Sequence, residues 1–214
     1  MSTATTSDKF TTDKYTQIRG ELRAVHGHGA LVLVVTVHPE GQPTALYRLN
    51  LDSGELTTGP LGGGATAILS DDTHVWLAGT DGHIYKADLI KGAPKPLGPK
   101  LEPAPTALAF ASKDRLAAVC GKELVIVGRG DGKEIQRLTL GEFGASIASD
   151  PNGIWLVVGG DRGTLSVFDC EDKAKFFAAE SKKLHEGAIT GLMFEPEELR
   201  VTSVGADNKL LTTH

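Results

Sequence analysis

His26-Gly27-His28 is the pair most suggestive of metal chemistry, because imidazoles two residues apart on a strand project to one face. No third ligand accompanies it at a fixed spacing, so the expectation is a surface turn carrying two solvated histidines and no metal. Asp71-Asp72, Asp81, Asp161 and Asp207 recur at turns, but without the alternating acidic loop that holds calcium. Turn aspartates that bond their own backbone account for them with fewer assumptions. Gly62-Gly63-Gly64 could offer backbone amides to an anion, yet no helix or lysine follows it as a phosphate loop requires. The seven histidines have no visible Ser or Cys partner, and no Gly-x-Ser-x-Gly occurs. The expectation is therefore no catalytic residue and no cofactor.

Composition narrows the partners. Net charge is −5 and no Lys/Arg cluster stands out, so the basic stripe of a phosphate-neutralising nucleic-acid binder is missing from the sequence. The longest apolar run, Ala30 to Val37, is too short to cross a bilayer. Residues 1–14 read as a loose polar tail; its first eight, Met1 to Asp8, are Ser/Thr-rich with no apolar signal core. A cytoplasmic location is the expectation. Cys120 and Cys170 fall at corresponding stages of neighbouring repeats, outside any Cys-x-x-Cys spacing, and read as buried free thiols in a reducing compartment.

What must position any site is a repeat. Ala65-Thr66-Ala67-Ile68, Pro105-Thr106-Ala107-Leu108, Ala145-Ser146-Ile147-Ala148 and Ala188-Ile189-Thr190-Gly191-Leu192 recur about every 40 residues, the period of a four-stranded propeller blade. The pieces between them are of strand length and end at Gly, Pro, Asp or Asn. No stretch keeps a clean 3.6-residue apolar period. The most helix-like segment, Glu171 to Leu184, has its apolar residues too clustered for a stripe and reads as an outer strand, Ala174 to Ala179, with a long connection. Second strands such as Leu31-Val32-Leu33-Val34-Val35 and Trp155-Leu156-Val157-Val158 are nearly all apolar, as strands covered on both faces are. The 26 glycines suit many tight turns.

The last repeat resembles a WD40 repeat. His185-Glu186-Gly187-Ala188-Ile189-Thr190-Gly191-Leu192-Met193-Phe194 looks like that family's Gly-His opening and first strand. Thr202-Ser203-Val204-Gly205-Ala206-Asp207-Asn208-Lys209-Leu210-Leu211 looks like its second strand, Asp turn and third strand. Asp161-Arg162-Gly163-Thr164-Leu165-Ser166-Val167-Phe168-Asp169 matches the same turn, with Phe168-Asp169 where Trp-Asp belongs. Gly79-Thr80-Asp81-Gly82-His83-Ile84-Tyr85 keeps the turn in the second repeat. No repeat has Trp-Asp, and Trp76 and Trp155 lie on second strands instead. The resemblance implies a structural network in which His185, Ser203 and Asp207 match three positions and Thr213 stands at the fourth.

The fold expected is an all-β, WD40-like propeller of about five four-stranded blades, approximately 22–60, 65–102, 105–142, 145–185 and 188–214 within residues 15–214, incomplete in that the last lacks its outer strand. Phe10 to Ile18 could supply that strand and close a five-bladed ring; a portion of a larger propeller is the favoured alternative, since an open wedge exposes apolar faces that need covering. The function expected is a non-catalytic scaffold for protein partners, or a module docked on the remaining blades of a larger propeller, away from membranes and nucleic acid. The resemblance points to one rim of the ring for contacts, at Gln42, Asp81, Lys122, Arg162, Glu186 and Asn208. The competing readings are a hydrolase-type propeller enzyme acting at the central channel and a small-ligand or nucleic-acid sensor.

Overall fold

The computed structural model describes residues 21–37, 44–171, 175–195 and 200–214, and their regular elements are all strands. Gln42 and the segment Phe10 to Ile18 lie outside the described residues, as does Ala174. The first sheet contains β1 (Glu21–His28), β2 (Leu31–Val37), β3 (Ala45–Asn50) and β4 (Leu56–Pro60). The second contains β5 (Ala65–Ser70), β6 (His74–Gly79), β7 (Ile84–Asp88) and β8 (Lys95–Leu97). In the third are β9 (Ala107–Phe110), β10 (Arg115–Cys120), β11 (Glu123–Gly128) and β12 (Glu134–Thr139). The fourth holds β13 (Gly144–Ser149), β14 (Trp155–Gly160), β15 (Thr164–Asp169) and β16 (Phe177–Lys183). The fifth is β17 (Ile189–Phe194), β18 (Val201–Gly205) and β19 (Leu210–Thr213).

Each sheet is an antiparallel meander whose strands lie side by side in chain order, and successive sheets meet through their innermost strands: β1 with β5, β5 with β9, β9 with β13, β13 with β17. These are the blades of a β-propeller. Side chains alternate across a strand, so each second strand feeds two cores. Val75 and Leu77 of β6 pack toward the first blade, while Trp76 and Ala78 pack toward the third. In β10, Leu116 and Ala118 face the second blade, whereas Ala117 and Val119 face the fourth. Continuous apolar runs are what this double burial demands. The outer strands fade to exposure, β16 completely.

Four apolar cores lie between the five blades, and no fifth core joins the first blade to the last among the described residues. Among the described residues the arc is open there. Its two end faces carry exposed apolar side chains, Val25 (61% exposed) at one end and Leu210 (66%) at the other, with Leu22 and Met193 alongside. Beside β19, which has no outer neighbour among the described residues, an apolar cleft of about 330 Å³ opens between the fourth and fifth blades, walled by Trp155, Val167, Phe194 and Val201.

Some local expectations change. The outer strand of the fourth blade is Phe177–Lys183, displaced from Ala174–Ala179 because Phe176 turns inward. It is buried in the core between third and fourth blades, and Gln136 brackets its backbone with two bonds of 2.8 Å. His26 and His28 lie on β1 and not in a turn, paired with Leu33 and Leu31, and His28 Nε2 is 3.2 Å from an Asp72 carboxylate oxygen. Cys120 ends a second strand while Cys170 follows a third, so the two occupy different stages of their repeats. Both are buried free thiols, and burial pushes each up to about 12.

One charged side chain ties two blades together. Arg48 of β3 is buried, and it donates from Nε to Leu89 O (3.0 Å) and from one terminal nitrogen to Asp88 O (3.1 Å) and Gly92 O (2.8 Å). The connection after β7 is thereby stitched to the first blade, and a Cβ at Gly59 would meet Gly92 O at 2.8 Å.

Candidate functional site

Antiparallel order sends the turn between second and third strands to the same end of a blade as the connection to the next blade. Backbone bonds join the two sets: Thr80 N to Gly64 O, Leu101 N to Gly82 O, Gly144 N to Gly121 O, Asp161 N to Phe143 O and Ala206 N to Ala188 O. Asp81, Lys122, Arg162, Glu186 and Asn208 all stand on this rim. The opposite rim carries the turns after first and third strands.

Carboxylates fasten the rim at the second, fourth and fifth blades, each in a different way. In the fifth, His185 Nδ1 lies 2.9 Å from Asp207 Oδ1 and Nε2 lies 2.9 Å from Ser203 Oγ, with His185 and Ser203 fully buried. Asp207 also accepts the backbone N–H of Glu186 and Lys209. Desolvation raises its carboxyl, and the His185 bond with the two amides overrides that, bringing it down to about 2. A carboxylate at Nδ1 requires that nitrogen to donate, which leaves Nε2 to accept from the Ser203 hydroxyl when the ring is neutral. Ser203 Oγ also faces Leu211 O at 3.4 Å; the side chain of Thr213 takes no part.

In the second blade Asp81 closes its own turn, accepting from His83 N (3.1 Å), His83 Nδ1 (3.1 Å) and Tyr85 Oη (2.7 Å). Burial and this bond push the Tyr85 phenol up to about 12. The expectation that such aspartates bond their own backbone holds here and at Asp71, which accepts the N–H of Thr73 and His74 at 2.7 Å each. It fails at Asp161, whose place is taken by Glu142: from the preceding connection, Glu142 accepts Arg162 N (3.2 Å), Thr164 N (2.8 Å) and Thr164 Oγ1 (3.1 Å). Asn208 sits at φ 62°, where the other turns use Gly82 and Gly163, since Asn tolerates the left-handed region. The Gly62–Gly64 run faces the Asp81 carboxylate, with a Cβ at Gly63 falling 3.5 Å from Asp81 Cγ, and so does not present a cradle to an anion.

Between the third and fourth blades a small patch faces outward on this rim. Phe143 is 50% exposed although it follows Glu142 on a connection fixed at both ends. The Lys122 ammonium stands 5.1 Å from its ring centre, and the turn bearing exposed Arg162 is hydrogen-bonded to its carbonyl. Lys122 and Arg162 were legible in the sequence as rim residues, but Phe143 was not. The signal available was a large aromatic in a glycine-flanked connection, Gly141-Glu142-Phe143-Gly144, where no strand core could claim it. Asp81 is drawn into its own turn, while Glu186 and Asn208 are exposed at the fifth blade, apart from this patch. Among the described residues no cluster of three His, Cys, Asp or Glu has metal-holding geometry.

No family model matches the chain, and no curated protein matches it. Solved structures do. The β-propeller domain of Myceliophteria thermophila Cps50 (Swd1) is 15% identical, with a TM-score of 0.75, 92% of this chain and 67% of that chain being covered. A chain of the mitotic checkpoint complex gives 14% identity and a TM-score of 0.74, covering 88% and 60%. BBS1N in complex with ARL6DN gives 15% and 0.68, covering 89% and 60%. The likeness is one of fold. This chain spans about 60–67% of the length of these propellers.

Proposed function

We propose that the chain is a non-catalytic protein-interaction scaffold of WD40 type, acting in a reducing compartment such as the cytoplasm as part of a larger propeller or complex. The observation that carries this reading is Phe143, an exposed ring held on a rigid connection with Lys122 over it and Arg162 on the adjoining turn. Aromatic residues and arginine are enriched at protein interfaces, and an exposed ring beside Lys122 and Arg162 on a hydrogen-bonded connection suits such a surface. Two of the solved propellers similar to it come from protein complexes, which agrees with a partner-binding role. The shifted groups Asp81, Tyr85 and Asp207 on this rim are engaged in turn and blade contacts, which supports a non-catalytic reading. The exposed apolar end faces and the length relative to solved propellers support a place within a larger assembly.

Chemical cross-linking in cell extract tests it. A discrete adduct is expected with the wild type and with an outer-strand control, Lys182→Glu, and its loss with Phe143→Ser/Lys122→Glu. An adduct indifferent to the rim variant would remove this face from the proposal.

A further inference from the structure

The opposite rim, between the second and third blades, holds a cleft of about 340 Å³ whose walls include Asp71, His74, Trp76, Lys86, Lys113 and Arg129. Its floor is the Trp76 indole, 1% exposed and edge-on to Phe110 at 5.5 Å. The Arg129 guanidinium carbon lies 4.4 Å from the Trp76 ring centre and 4.3 Å from that of Phe110, and Lys86 Nζ stands 5.2 Å from Trp76. Cations over desolvated rings are held by the ring quadrupole. Arg129 is fixed further by an ion pair with Asp71 and by donation to Lys113 O at 3.2 Å. Trp76 Nε1 has no acceptor among the described residues, so stacking and packing, not a hydrogen bond, set the ring in place.

Arg129 is thus frame, and the two lysines are the available charge, since neither has an ion pair among the described residues. Around the opening, Lys86, Lys113 and Arg129 face Asp71 and Asp114, an excess of one formal positive charge among these five side chains. Asp88, paired with His74, turns its carboxylate to the N–H of Ile90 and Lys91, and Asp72 is engaged by His28. In a chain of net charge −5 this is a local reversal of sign. One excess charge suits a monoanion; a dianion would meet two carboxylates for the same single excess. Lys86 over the Trp76 ring and the exposed Lys113 beside it, each with three donors on a flexible stem, suit a carboxylate on a short side chain.

We propose that this cleft binds a carboxylate side chain of an acidic peptide segment, with Lys86 and Lys113 supplying the charge and Arg129 and Trp76 the frame. It is a second docking site on the rim away from Phe143, and it stands or falls separately from that patch.

The probe is a fluorescein-labelled peptide of alternating Glu and Gly, titrated at low salt and followed by anisotropy, and unlabelled by Trp76 emission in a Trp155→Phe background. Saturable binding is expected, weakening with salt. Lys86→Met/Lys113→Met should weaken it by about tenfold or more, as cutting hydrogen-bonded charge pairs does. Lys113→Met alone, at an exposed position that leaves the Trp76 stack intact, should weaken it in the same direction, and Phe143→Ser should leave it unchanged. Absence of saturable binding, or equal affinity in the lysine variants, overturns the proposal. So does markedly tighter binding of a phosphoserine counterpart, which would make the cleft a phosphate site.

Discussion

Gly160 stands where any side chain would overlap the Glu142 carboxylate. The end of β14 must be bare for Glu142 to cross from its connection to the turn at Arg162 and Thr164. The same relation recurs where the acid sits differently: a Cβ at Gly79 would fall 2.6 Å from Asp81 Oδ1, and one at Gly205 would overlap His185. A glycine closing the second strand and an acid reaching the rim turn are two halves of one device.

Gly160→Ala is therefore expected to destabilise by about 1–3 kcal/mol, the usual cost of overpacking. Glu142→Ala in the same chain should recover part of the loss by vacating the space, at the expense of its turn bonds. Denaturant midpoints of the two single variants and the double variant check this; strict additivity would show that the two residues do not compete for one volume.

Asp207 should make the fifth blade's stability pH-dependent. Its folded carboxyl lies near 2, below the unfolded value of 3.8, so the stabilisation is present in full above the unfolded value and is lost as pH falls through 2. Wild type should therefore have the higher urea midpoint than Asp207→Asn at pH 7. The gap should narrow progressively below pH 4, down to the lowest pH at which both chains fold. A gap that stays constant with pH would mean the carboxylate charge does not matter.

Arg48→Met keeps much of the stem but strips donors from Leu89, Asp88 and Gly92 carbonyls at the seam of the first two blades. A loss of about 2 kcal/mol or more is expected, since these are charge-assisted bonds to partly buried acceptors. Hydrogen exchange should quicken at the first and second blades and stay unchanged at the fourth. Uniform acceleration would show that the arc unfolds as one unit instead of opening at this seam.

What the sequence determined by itself is everything that repeats or stays local. The 40-residue spacing and the continuous apolar second strands specify blades, because a strand that feeds two cores must be apolar on both faces. His185, Ser203 and Asp207 were legible because one blade holds all three, and their bonds form wherever its three strands pair in register. The transfer of the turn acid from Asp161 to Glu142 was hidden, since the carboxylate reaches the turn from a connection before the blade begins. Phe143 emerges only once every core has been filled without it. The Arg129–Trp76–Lys86 stack was hidden for a deeper reason: Arg129 belongs to the repeat after the one that holds Trp76 and Lys86, and only the packing of one blade against the next brings it, 53 and 43 positions on, to the same ring.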